Sequence, residues 1–164
     1  NHVNRFRAEH PRFELQTLTH DNFSAVQHMV GEWYRARMQA DPAGDYMLES
    51  IAMSRAFRHY EGLQMESAVL VENGEILAVT MGSRLWSDTF DIHFEKARED
   101  VDGAYAAVNC EFARYLRLKY PNLRYLNRED DVGLAGLRKA KLSYNPHHMV
   151  EKSWAYLAED FHGD

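Results

Sequence analysis

The sequence predicts an α/β (α+β) fold: a mixed sheet with an antiparallel meander, one parallel pair of strands and flanking helices. Three observations carry that expectation. Asn73-Gly74 lies between apolar runs at 67–71 and 75–81, and this dipeptide suits the two positive-φ positions of a tight hairpin turn. Residues 89–95 alternate strictly, with Phe90, Ile92 and Phe94 assigned to one face and Asp91, His93 and Glu95 to the other. Two helical segments then separate the last three strands, and a helical crossover joins parallel strands in a right-handed sense.

The elements follow in order. Residues 13–18 read as the first strand, and Asp21 or Asn22 as the cap of a helix whose Phe23, Val26, Val30 and Trp33 recur at helical spacing. DPAGD at 41–45 breaks that helix. Residues 48–60 read as a second, with Met53, Ala56, Phe57 and Tyr60 on one face. After the meander the loop KAREDVDG leads into a long helix starting near Gly103, its stripe made of Tyr105, Val108, Phe112, Tyr115 and Leu116. Pro121-Asn122 turns the chain, 123–126 reads as a short strand, and a helix follows from near Val132 until Pro146 disfavours it at Asn145. A last strand is expected at 148–156. The order is β-α-α-β-β-β-α-β-α-β, without repeats or low-complexity tracts, and reads as a single domain over 1–164.

Composition narrows the function classes. At 164 residues, 45% hydrophobic and 27% charged, the chain has the balance of an ordinary globular protein. No apolar run approaches the ~20 residues of a membrane span. The single cysteine, Cys110, admits no internal disulfide, and the chain reads as cytoplasmic. The net charge of −6 is uneven: residues 103–145 hold eight bases and four acids, which leaves the remainder at −10. An anionic partner is expected on that basic segment.

The expected chemistry gathers where parallel strands end. Ligands of open α/β sheets bind beyond the carboxyl ends of the strands, which places Glu95, Asn127, Arg128, Glu129 and Asp130 around one mouth. Glu95 and Glu129 are candidates for a general base, because partial burial raises a carboxyl pKa; both also fit salt bridges to Lys96 or Arg128. Asp130 or Asp131 suits a helix N-cap. Gly133 and Gly136 stand three apart, each at a cost of about 0.8–1 kcal/mol against Ala in a helix. Gly136 reads as packing; Gly133 is open between packing and approach of a substrate or phosphate. Arg138 and Lys141 share a face that can hold an anion or pair with the loop acids. Tyr144 is a proton donor to a leaving group or a core tyrosine. Asp91, His93 and Glu95 have the donor types of a metal trio, but a solvated strand face is the simpler reading, and no metal is assigned. His147-His148 lacks the HExxH pattern, and no GxSxG, Walker or Rossmann fingerprint appears.

HFEKA (93–97), DGAYAAVNCEFA (102–113) and YLNREDDVGLAGLRKAKLSYNP (125–146) resemble the family named for the C-terminal domain of phosphatidylglycerol lysyltransferase. A weaker match extends back through NRFRAEHP and the helix with Trp33. The resemblance implies one of two paired GNAT acyltransferase folds, with residues 1–12 as the link from an upstream GNAT-like domain of the same protein. It also implies aminoacyl transfer from charged tRNA to an amine or hydroxyl. Such a reaction needs a base (Glu95 or Glu129), a donor to the ester carbonyl (Asn127 or Arg128), and an anion-binding surface. Tyr144 joins the catalytic set, and Lys96, Arg128, Asp130, Gly133, Arg138 and Lys141 the substrate-binding set. The usual coenzyme A loop, R/Q-x-x-G-x-G/A, is replaced by KAREDVDGAY, without the glycines that bring backbone N–H groups to a pyrophosphate. The donor implied is therefore aminoacyl-tRNA, with acyl-CoA as the alternative in an N-acetyltransferase. A non-catalytic binding module of a tandem protein is the reading from a different class.

Overall fold

A computed structural model describes residues 2–129, 135–151, 153 and 155. They fall into two compact units, 1–129 and 130–164.

The first unit is built on a five-stranded sheet in the order β1-β2-β3-β4-β5. β1 (Glu14–Gln16), β2 (Glu66–Glu72), β3 (Glu75–Arg84) and β4 (Thr89–Ala97) pair antiparallel in succession, and β5 (Tyr125–Asn127) lies parallel to β4. The hairpin forms where expected, with Asn73 at φ 52° and Gly74 at φ 81°. α1 (His2–Glu9) and α4 (Ala104–Lys119) cover one face of the sheet, and α2 (His20–Ala40) and α3 (Tyr46–Arg58) the other. Parallel pairing of β4 and β5 follows from the α4 crossover.

Two cores result. On the α1/α4 side Phe6, Leu70, Phe90, Ile92, Phe112 and Leu116 are buried, with Phe90 and Phe112 edge to face at 5.7 Å. Each such side chain contributes about 1.5–3 kcal/mol on burial. On the α2/α3 side the core includes Val26, Val30, Met53, Phe57, Val79 and Met81. Thr19 precedes α2, and its N–H donates to Asn22 Oδ1 at 2.9 Å. Asn22 is therefore the back-reaching third helical residue of a capping arrangement rather than the cap itself. The opening residues, expected as a link, fold as α1 with Phe6 fully buried.

The alternation expected for 89–95 is corrected by a bulge. Met81 pairs with Phe94 but Gly82 pairs with Ile92, so His93 is the extra residue. An added residue shifts the period-2 pattern by one. Phe90 and Ile92 enter the α1/α4 core, but Phe94 packs with the α2/α3 core, so Asp91, His93 and Glu95 do not share a face. Gly82 is what the bulge requires: a Cβ there would lie 1.9 Å from the Asp91 carbonyl oxygen and 2.8 Å from Phe90 Cε1.

In the second unit α5 (Ala135–Leu142) stops before the expected end at Asn145, and its expected start near Val132 lies outside the described residues. It ends with Ser143 Oγ donating to the Ala140 carbonyl at 2.6 Å and Asn145 at φ 50°, immediately before Pro146. Arg138 and Lys139 are exposed and Lys141 is half-buried. The packing expected at Gly136 is not seen among the described residues, where a Cβ would meet nothing within 4 Å. The last strand is not seen: 148–151, 153 and 155 have no regular structure. Asp130, Asp131 and Gly133, with the expected helix cap, lie outside the described residues.

Candidate active site

β4 and β5 are paired only at Thr89↔Tyr125, Phe90↔Leu126 and Asp91↔Asn127. Beyond Asp91, β4 runs on to Ala97 without a strand partner on that side among the described residues. The chain leaving β5 supplies three consecutive residues to this opening, and each meets a different group on β4. Asn127 Nδ2 donates to Asp91 Oδ1 at 2.8 Å. Arg128 Nη2 donates to Glu95 Oε1 at 2.6 Å. Glu129 Oε1 lies 2.9 Å from His93 Nδ1.

The bulge decides which groups collect on which side. Glu95, in register with the buried Thr80, shares the α4 side, where Asn109 Nδ2 reaches its Oε2 at 3.3 Å. Its side chain is only 9% exposed. Burial pushes the Glu95 carboxyl up, and the opposing pull of Arg128 and Asn109 does not cancel it. Both oxygens are thus engaged, and the carboxylate holds Arg128 in place.

On the other side of β4, His93 is hydrogen-bonded at both ring nitrogens. Nε2 lies 2.8 Å from Ser83 Oγ, and Nδ1 faces Glu129. An ionised carboxylate only accepts, so the Nδ1 proton points to Glu129, and in the neutral ring the Nε2 lone pair faces the Ser83 hydroxyl. Asp91 stands 3.7 Å from Nδ1. The hydrogen bond to Glu129 raises the His93 pKa above its ordinary value, and the Asp91 and Glu129 charges add to it against an opposing effect of burial. Glu129 sits at φ 48°, in the left-handed region. A non-glycine residue there costs about 1–2 kcal/mol, which the contact with His93 helps to offset. The donor atoms of Asp91, His93 and Glu129 come within 4.8 Å of one another, so the trio considered from the sequence has Glu129 in place of Glu95.

Lys96 faces away from this opening. It is buried, its Nζ 2.8 Å from Glu49 Oε1 and 4.1 Å from the Trp33 ring centroid. Burial, and then the same Glu49, push the Tyr34 phenol up. The ammonium expected at a substrate is therefore enclosed between α2 and α3. Glu95, Asn127, Arg128 and Glu129 are brought to one opening. Arg138, Lys141 and the half-exposed Tyr144 belong to the second unit, and Asp130 and Gly133 are not among the described residues. Ser83 was not singled out in the sequence, and His93 was weighed there only as a metal ligand. The signal that points to them is Gly82, since a glycine inside a strand marks a bulge.

The family model for the C-terminal part of phosphatidylglycerol lysyltransferase matches residues 1–156. The chain belongs to that family. A conserved protein of unknown function from Bacteroides thetaiotaomicron is 38% identical and superposes with a TM-score of 0.83. The match covers 91% of this chain and 49% of that one, so this chain spans about half the length of that relative. A possible acetyltransferase from Clostridium difficile 630 superposes with a TM-score of 0.63 at 11% identity, over 89% of this chain and 97% of its own. Ribosomal-protein-alanine N-acetyltransferase from Brucella melitensis gives 0.54 at 11% identity, over 88% and 96%. No curated protein matches the chain. This member of the phosphatidylglycerol lysyltransferase C-terminal family therefore has a GNAT-like fold of the acyltransferase type. Among its described residues no helix is long and apolar enough to cross a membrane.

Proposed function

We propose that the chain is an acyltransferase domain that takes an aminoacyl group from charged tRNA and passes it to an amine or hydroxyl, working beside an upstream domain of the same protein. The observation that carries the choice of donor is the closed N-terminus of α4. In the GNAT resemblance, that is where coenzyme A would present its pyrophosphate. Gly103, at φ 80°, opens α4, and a Cβ there would lie 2.7 Å from the His2 carbonyl oxygen and 3.2 Å from Phe6 Cβ. Asp102 is ion-paired with Arg5 of α1, and Glu99 and Asp100 precede it in the same loop. Arg37 and Arg98 pair with Glu99 and Asp100, so it is the packing of α1 against the helix start, rather than bare charge, that counts against a pyrophosphate there. An aminoacyl ester needs no anion there.

His93 is the base for the incoming nucleophile in this reading. Its Nδ1 is oriented by Glu129, and its Nε2 lone pair, which faces the exchangeable Ser83 hydroxyl, accepts the proton. Arg128, held by Glu95, supplies positive charge for the ester carbonyl oxygen as negative charge develops there. Glu95 is thus a positioning residue, because its oxygens are occupied. Arg138, Lys139 and Lys141 contribute to the phosphate-binding surface of the donor.

Charged tRNA is expected to bind at low salt, with log Kobs falling linearly as log salt rises. No detectable binding at low salt would end this reading. Saturating acetyl-CoA is expected to leave the melting temperature unchanged. A bound ligand at 100 times its Kd would add about 2.7 kcal/mol, and a Tm rise of that size would favour the acetyltransferase alternative.

The rate of transfer should also depend on pH in a set direction. Neutral His93 is the active form, so the rate rises with pH, with a midpoint above the ordinary histidine value because Glu129 stabilises the imidazolium. Glu129→Gln is expected to move that midpoint down. The stability side has its own sign. A raised histidine pKa favours the folded state fully below the unfolded pKa, and that contribution is lost as pH rises through the folded value. A pH–rate profile of E129Q that overlays the parent would contradict the pairing.

A further inference from the structure

We propose that Ser83 is a nucleophile that carries the acyl group as a serine ester between donor and acceptor. The inference rests on the acyl-transfer reading for the identity of the acyl group, but the reactivity of Ser83 does not depend on tRNA.

Four features of one short region support it. Ser83 Oγ, His93 Nε2, His93 Nδ1 and Glu129 Oε1 form a hydrogen-bonded line with steps of 2.8 and 2.9 Å. That is hydroxyl, imidazole and carboxylate in the order that activates a serine, whichever fold or chain order presents them. Ser83 is half-buried near the end of β3, neither sealed in the core nor freely hydrated. Ser83 pairs in register with Asp91, two residues before His93 and on the same side of β4, so the strand pairing itself presents the hydroxyl to the ring. Glu129 is held in a left-handed backbone conformation at its far end, a local strain of the kind that gathers at functional sites.

The chemistry balances without a further reactant. The Ser83 Oγ–H proton passes to His93 Nε2 as Oγ bonds to the acyl carbon. The bond from that carbon to the donor oxygen breaks, and the leaving oxygen takes the proton from His93. One ester replaces another, so the step needs no external energy source. In the second half the acceptor N–H or O–H gives its proton to His93 Nε2 and bonds to the acyl carbon. The bond to Oγ breaks, and the proton returns to Ser83.

A fluorophosphonate probe followed by intact-mass and peptide analysis tests this directly. The expected result is a single adduct on Ser83, absent in S83A and formed about 10²-fold more slowly in H93Q. No adduct, or an adduct formed at the same rate in H93Q, would overturn the proposal. A second measurement does not rely on the probe. In a C110S background, the S83C variant is expected to be alkylated by iodoacetamide near neutral pH at least tenfold faster than the S83C/H93Q pair, because a neighbouring imidazolium stabilises a thiolate. Equal rates would overturn it. S83A that transfers at the parental rate, beside an inactive H93Q, would remove the serine ester and leave His93 as base. Failure of charged tRNA to bind would remove the donor and leave the labelling of Ser83 standing.

Discussion

His93→Gln is expected to lower aminoacyl transfer by about 10²–10⁴-fold, the range for losing a positioned general base. Its melting temperature should stay close to the parent's. Glutamine can still reach one of the two partners that hold the ring, Ser83 and Glu129, and the site is only partly buried. The residual rate should lose the pH dependence described above. Turnover measured beside thermal unfolding separates these outcomes. A variant that transfers normally would contradict the role, and one that unfolds would show that His93 serves the fold instead. Glu95→Gln is expected to behave differently. Its loss of rate comes through a loosened Arg128, so it should be smaller than that of H93Q.

Gly82→Ala is expected to cost about 3 kcal/mol or more, at the upper end of overpacking effects. The added Cβ would overlap the Asp91 carbonyl oxygen at 1.9 Å and carbon at 2.9 Å. These are backbone atoms within the β3–β4 pairing and cannot rotate away as a side chain would. For a chain of this size that is a fall in Tm of roughly 6–12 °C. Activity should fall further than stability accounts for, because relief of the clash displaces the Asp91 backbone and with it the neighbouring His93 from Ser83. Circular dichroism melts and transfer rates on the same preparation check both parts. A Tm within a degree or two of the parent would mean that the strands part more easily there than their register suggests.

Much of the architecture was legible because it rests on local chemistry. Asn73-Gly74 specified its turn through positive φ, the apolar spacing of Val26, Val30, Met53 and Phe57 gave the helices of one layer, and the crossover after β4 gave the parallel pair. What misled was a single extra residue. Strict alternation over 89–95 looks like a regular strand, and only pairing with β3 reveals that His93 is bulged. That one shift moved Phe94 to the other core and separated Glu95 from Asp91. His93 stayed on the side of Asp91, where it meets Ser83, which is ten residues away and carries no motif. Lys96 was misjudged for a related reason: its enclosure by Glu49 and Trp33 depends on helices far away in sequence. Grouping Asn127, Arg128 and Glu129 at the mouth needed only the rule for strand ends, but which β4 residue each would meet required the register.

The central claim is that His93, set by Glu129, is the base of an aminoacyl transfer. It is tested most directly by single-turnover release of radiolabelled aminoacyl groups from bulk charged tRNA to hydroxylamine, measured against the uncatalysed rate from acid to alkaline pH. The expected result is an acceleration that rises with pH through a midpoint above the ordinary histidine value, shifts down in E129Q and vanishes in H93Q. An acceleration of equal size and equal pH dependence in H93Q would contradict it.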